Sequence, residues 1–154
     1  MSKYLLILLL FCGSRSFAQT KVISFRDAKN AGISIPHLDS IYKGAVNSNK
    51  DLAVFKTIDE QQNLIKAYTS FIQSMAYFLK QNNFVWEKPV RSYNRVYMNA
   101  DGTVEYFIFQ FGEQLSPEKE TEFLRLVSLY TKENKFPITA HERFAQCSPV
   151  QYGK

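Results

Sequence analysis

The chain is poor in the residues from which reactive centres are built. It holds two cysteines, two histidines and six glycines in 154 residues. His37 and His141 lie about a hundred positions apart, and with one or two thiols they give no metal-ligand spacing. The glycines are never grouped, so no phosphate-cradling loop exists, and there is no Gly-x-Ser-x-Gly elbow. Asn99-x-Asp101-Gly102 has part of a calcium-loop pattern, but its first ligand position falls on Tyr97, so it reads as a turn. Neither a cofactor nor a metal is implied.

Charge is also modest. The formal balance is +5, with basic residues scattered and often next to acids, as in Glu118-Lys119-Glu120. That is a solvated surface and not a nucleic-acid footprint. A long apolar run is missing too. The longest is Leu5 to Cys12, 8 residues where a spanning helix needs about 20. No retained transmembrane anchor is expected.

That short run has a clear meaning in context. Lys3 precedes it, and Gly13 to Ala18 turns small and polar, ending Ser16-Phe17-Ala18. This is the three-part layout of a secretory signal peptide over residues 1–18, cut before Gln19. A lipoprotein cut before Cys12 is the alternative, though Phe11 is large for that site. Export places the protein in the periplasm or outside the cell. The leader carries Lys3 and Arg15 and no acid, so the formal charge of residues 19–154 falls from +5 to +3. Those residues make one domain with room for a core. Cys147 remains without an internal disulfide partner and is expected to be buried.

What the chain has in abundance is rings: 13 Phe, 9 Tyr and one Trp. They predict an aromatic core, or, if exposed, a stacking surface. Along the chain, Lys21 to Arg26 alternates loosely as a short strand. Pro36 opens a short helix carrying Leu38, Ile41 and Tyr42. Thr57-Ile58-Asp59-Glu60 is a capping box. Behind it Leu64, Ile65, Tyr68, Phe71, Ile72, Met75, Phe78 and Leu79 recur every three or four residues, the stripe of a six-turn helix that stops at Asn82-Asn83. Arg91 to Met98 and Thr103 to Phe111 read as strands joined at Asn99-Ala100-Asp101-Gly102. In the second run, Val104, Tyr106 and Ile108 share one face and Phe107, Phe109 and Phe111 the other, so the strand is central or covered twice. Ser116-Pro117-Glu118 starts a second helix with Phe123, Leu126, Val127 and Tyr130 inward. Phe144 to Tyr152 is a last strand; Pro149 makes it an edge, or breaks it there. After an uncertain N-terminal segment the order is α-β-β-α-β. This is an α+β two-layer sandwich, a small antiparallel or mixed sheet covered by two amphipathic helices.

The strand leading into Asp101-Gly102-Thr103-Val104, the capped helix, the Phe136-Pro137 pair and the last strand with Pro149-Val150 resemble the C-terminal domain of TonB-type energy transducers, over about residues 91–152. The resemblance implies an envelope module whose sheet edge pairs with an extended peptide. The family's membrane helix and Pro-rich spacer have no counterpart here, and the long helix at Ile58 to Gln81 is extra, so energy transduction is not implied. The leader and aromatic load are also similar to those of small exported proteins of Bacteroidetes-type bacteria.

Three readings follow. The first is a non-enzymatic exported module that binds a peptide or protein along Phe144, Gln146, Ser148, Val150 and Tyr152. The second is an enzyme with a site around His141, Glu142 and Cys147. The third is a glycan or lipid binder using exposed Trp86, Tyr93 and Tyr97. Glu105, the one acid inside an aromatic strand, is expected to face solvent near the hairpin tip.

Overall fold

A computed structural model describes residues 20–153; the signal peptide expected over residues 1–18, and Cys12 within it, lie outside the described residues. The elements run β1 (Lys21–Ser24), α1 (Phe25–Asn30), α2 (Ile35–Ile41), β2 (Lys43–Gly44), a 3-10 turn at Lys50–Leu52, α3 (Ile58–Gln81), β3 (Val90–Met98), β4 (Val104–Phe111), α4 (Pro117–Glu133) and β5 (Phe144–Tyr152). The five strands form one mixed sheet in the order β1-β4-β3-β5-β2. The α+β class and the helix-strand-strand-helix-strand order of the larger elements are those expected from the sequence. Among the described residues, no helix is long and apolar enough to cross a membrane.

Local chemistry sets the helix ends. Thr57 Oγ1 accepts from the Glu60 N–H while the Glu60 carboxylate accepts from the Thr57 N–H, so the capping box is complete. Asn83, at φ 60, ends α3 in the left-handed region that Asn tolerates. Ser116 caps α4 and Pro117 fills its first turn. Both long helices lie on one face of the sheet. Their rings and those of β4 and β5 make the main core, with Phe123 touching Phe84, Trp86, Phe109, Phe111 and Tyr152.

The N-terminal third builds the other face; the short strand expected from Lys21 is β1 and the short helix expected at Pro36 is α2, while α1 and β2 were not expected. β1 pairs in parallel with β4, and α1 and α2 cover one end of the sheet through Ala28, Leu38 and Tyr42 packed on Tyr97, Ile108 and Ala145. β4 is therefore central and covered on both sides, as its two apolar faces require. One facing assignment needs correcting. Val104 sits with Phe107 and Phe109 in the helix-side core, not with Ile108. The register shifts between Tyr97 and Met98, so Glu105 is an extra residue in β4 and flips the alternation.

The hairpin tip is held by charge. Asp101 accepts from the Thr103 N–H and hydroxyl, and Lys135 Nζ pairs with it. The Lys135 ammonium, then the Thr103 amide, bring its carboxyl down to about 2 from 3.8. A depressed folded pKa contributes stability above 3.8 and loses it as pH falls through about 2. The pair is exposed and screened, so the contribution is small. Asp101→Asn is expected to flatten the acid limb of stability between those two values. An unchanged acid limb in urea titrations at low salt would show that the pair does nothing.

Candidate functional site

The outer side of β5 is the longest strand edge left open among the described residues. β5 pairs with β3 over its whole length, from Val90↔Tyr152 to Met98↔Phe144. On its other side β2 reaches only Phe144 and Ala145. The Ala45 N–H donates to the Ala145 carbonyl at 2.8 Å. Main-chain groups along a strand alternate between its two neighbours, so Cys147, Pro149 and Gln151 face the same outer side. No strand of the described residues meets them.

This edge is partly blunted. Pro149 has no N–H to offer. The Cys147 carbonyl accepts from Gln146 Nε2 at 3.3 Å and the Pro149 carbonyl from Ser148 Oγ at 3.1 Å. Yet Phe144–Tyr152 contains no charged residue, and charge is the usual guard on an exposed edge. The Cys147 and Gln151 amides and the Gln151 carbonyl keep no partner among the described residues. The strand is thus an edge from Gln146 onward, not along its whole length as its Pro149 suggested.

The five side chains read as partner-binding divide unequally. Phe144 and Tyr152 are buried in the helix-side core, and Val150 packs against that core. They point inward because that face of β5 lies under α3. Gln146, Ser148 and Val150 are half-buried, so the edge offers main-chain groups more than anchoring side chains.

His141, Glu142 and Cys147 do not meet. His141 is exposed in the loop before β5, its Nε2 at 2.9 Å from Glu142. Glu142 also takes Lys43 Nζ at 3.3 Å. Cys147 is half-buried, not fully buried as expected, because the edge beside it is open. It lines a cavity of about 300 Å3 with Asp39, Tyr42, Val46 and Arg95. Burial pushes its thiol up; Arg95 works against this and Asp39 with it. Cys147 is therefore a thiol at neutral pH, with no His hydrogen-bonded to it among the described residues. Arg95 Nη1 spans both Asp39 oxygens at 3.1 and 3.0 Å, and the Tyr97 hydroxyl donates to Asp39 Oδ1 at 2.9 Å. This pins α2 onto β3.

Nor do the three rings share a surface. Tyr97 is 0% exposed, and Trp86 packs into the core stacked on Tyr152. Tyr93 alone is exposed, at 44%. Glu105 is half-buried, because the bulge turns it toward Tyr42, whose hydroxyl donates to it; Asn99 Nδ2 donates at 2.9 Å. With Lys21, His37 and Arg143 it lines a shallow cavity of about 430 Å3. Nothing in the local sequence marks the bulge that creates this. Among the described residues, no three His, Cys, Asp or Glu groups come together as a metal-holding set.

Just behind the edge lies a polar group that sequence reading missed. Asn94 is fully buried under α3; it accepts from Ser92 Oγ and donates to the Tyr152 hydroxyl, both at 2.8 Å. The Tyr68 hydroxyl lies beside Asn94 and Ser148 with no hydrogen-bond partner among the described residues, and burial pushes its phenol well up. An unpartnered buried hydroxyl costs stability. Tyr68→Phe is therefore expected to raise stability by about 1 kcal/mol in urea unfolding; a loss of that size would show that the hydroxyl is satisfied in solution.

Comparison with known proteins returns no matching family model, no matching curated protein and no matching solved structure.

Proposed function

We propose that this is an exported, non-enzymatic binding module that takes an extended segment of a protein partner onto the outer edge of β5. One observation carries the reading: β2 stops after two residues, leaving the uncharged second half of β5 with outward amides at Cys147 and Gln151. Main-chain pairing of this kind supplies affinity with little demand on side chains. The resemblance of residues 91–152 to TonB C-terminal domains suits the same mode, and the leader suits a partner in the cell envelope.

The test uses hydrogen exchange on dilute protein. Peptides selected from a displayed library for binding are expected to slow exchange of the Cys147 and Gln151 amides about tenfold or more. Gln151→Pro removes an outward N–H without touching the β3 ladder, and should abolish that binding. Peptides that bind equally well to Gln151→Pro and leave both amides unprotected would refute edge pairing.

A further inference from the structure

Opposite charges line the shallow cavity beside Glu105 without pairing to one another. Glu105 supplies the acid and Lys21 and Arg143 the bases, with His37 on the same rim. Among the described residues, none of these three charges forms an ion pair. The charges next to them in the chain are already committed. Asp39 holds Arg95, and Glu142 takes both Lys43 and His141.

The bulge in β4 builds this arrangement. Side chains of an unbroken strand alternate between faces, so two consecutive residues do not line one cavity. The extra residue at Glu105 breaks that alternation, because Tyr97 pairs with Tyr106 and Met98 with Val104. Glu105 and Tyr106 therefore both open onto the same space. Bulges recur beside functional sites because they re-aim a side chain in this way. The re-aimed carboxylate is then fixed. The Tyr42 hydroxyl donates to Oε2 and Asn99 Nδ2 to Oε1, the latter at 2.9 Å. Both donors are neutral, so this half-buried charge has no counter-charge of its own. Each oxygen keeps a lone pair for one more donor.

Tyr42 also positions the other sign. The Arg143 guanidinium stands over its ring, 5.8 Å from the centroid. One tyrosine thus holds the acid with its hydroxyl and the base with its ring, and keeps the two out of each other's reach.

We infer that this cavity binds a small zwitterion, an α-amino acid or a short peptide with free termini, with its ammonium on Glu105 and its carboxylate on Arg143 and Lys21. Charge selects the class. A purely anionic ligand would satisfy the two bases and meet Glu105. A purely cationic one would meet Arg143 and Lys21. A neutral one would leave all three charges unpaired. A molecule carrying both signs bridges groups that stand too far apart to pair directly. The chemistry of each group agrees. An ammonium brings three N–H donors to the free lone pairs of Glu105, and the guanidinium fork matches the two oxygens of a carboxylate. The volume of about 430 Å3 falls among small-molecule sites, which run from about 300 to 1,000 Å3. Ile41, also in the lining and 40% exposed, gives an apolar side chain something to cover, so leucine is the probe. The cavity uses no residue of the free stretch of β5, so this inference stands or falls apart from edge pairing.

The test titrates leucine, leucylglycine, N-acetyl-leucine and leucinamide into the purified protein. The Asn99 Nδ2 protons, one of them bonded to Glu105, report occupancy by NMR. Leucine and leucylglycine are expected to shift them saturably, and the tighter of the two distinguishes a free amino acid from a peptide. N-acetyl-leucine lacks the ammonium and leucinamide the carboxylate; each is expected to bind about tenfold or more weakly than leucine. Arg143→Gln changes an exposed side chain and should weaken leucine and N-acetyl-leucine by similar factors. Glu105→Gln should weaken leucine while leaving N-acetyl-leucine unchanged or tighter. Loss of fold cannot give that pattern, since it would weaken every ligand. Equal binding of leucine, N-acetyl-leucine and leucinamide would overturn the inference. So would Asn99 protons that stay unmoved at about 10 mM leucine and leucylglycine, where a site of millimolar affinity is about nine-tenths full.

Discussion

Phe123→Ala is expected to destabilise the protein by about 3–5 kcal/mol, the range for emptying a buried phenylalanine site. Phe123 is fully buried at the centre of the aromatic core. Its ring lies 5.1 Å from Phe109 and from Phe111, 5.7 Å from Tyr152, 5.9 Å from Trp86 and 6.0 Å from Phe84. These five neighbours come from β4, β5 and the connection after α3, so they cannot collapse together into the gap without moving separate elements. Among the described residues no disulfide supports this core, so such a loss is a large share of a domain's usual 5–15 kcal/mol. The check is the urea midpoint at constant m-value. A cost under about 1 kcal/mol would mean that the rings repack freely and the core is not the rigid unit described here.

Gly102→Ala is expected to cost on the order of 3 kcal/mol or more, although it adds only one methyl group, at a buried turn residue. Gly102 sits at φ +82, where an L-residue is strained. A Cβ there would also stand 2.4 Å from the Phe136 carbonyl oxygen and 3.2 Å from that of Ile138. Both obstacles are main chain and cannot rotate away. The Gly102 carbonyl accepts from the Phe136 N–H at 2.8 Å, so the hairpin tip and the post-α4 segment are fastened through this residue. Moving one moves Phe136, whose ring packs on Phe71 and Phe144. The measurement is again chemical unfolding, paired with Asp101→Asn to separate charge from backbone. A Gly102→Ala cost no larger than that of Asp101→Asn would refute the close approach.

The candidate site was only half legible in advance. Pro149 marked β5 as an edge, because a missing N–H is written in the residue itself. The proline does not reveal that β2 covers two residues and no more, since a two-residue strand has no periodicity to read. Nor does alternation say which face of β5 turns inward. Phe144, Val150 and Tyr152 read equally well as partner contacts until α3 is seen above them. Ile65 had the same ambiguity: it fits the apolar stripe of α3 as well as Ile72 does, and only the fold shows that Ile72 packs against the core while Ile65 is 64% exposed.

By itself the sequence determined what depends on neighbours a few residues apart. Caps at Thr57 and Ser116, the stripe of α3, the stop at Asn82-Asn83 and the turn at Asp101-Gly102 are all local chemistry, set by residue types a few positions apart. Tertiary structure decided the rest: the bulge that turns Glu105 toward Tyr42, the burial of Asn94 beneath α3, the covering of one sheet end by α1 and α2, and the open half of β5. Each of these depends on pairing between segments tens of residues apart. There packing and main-chain hydrogen bonding choose among arrangements that local propensity leaves equal in energy.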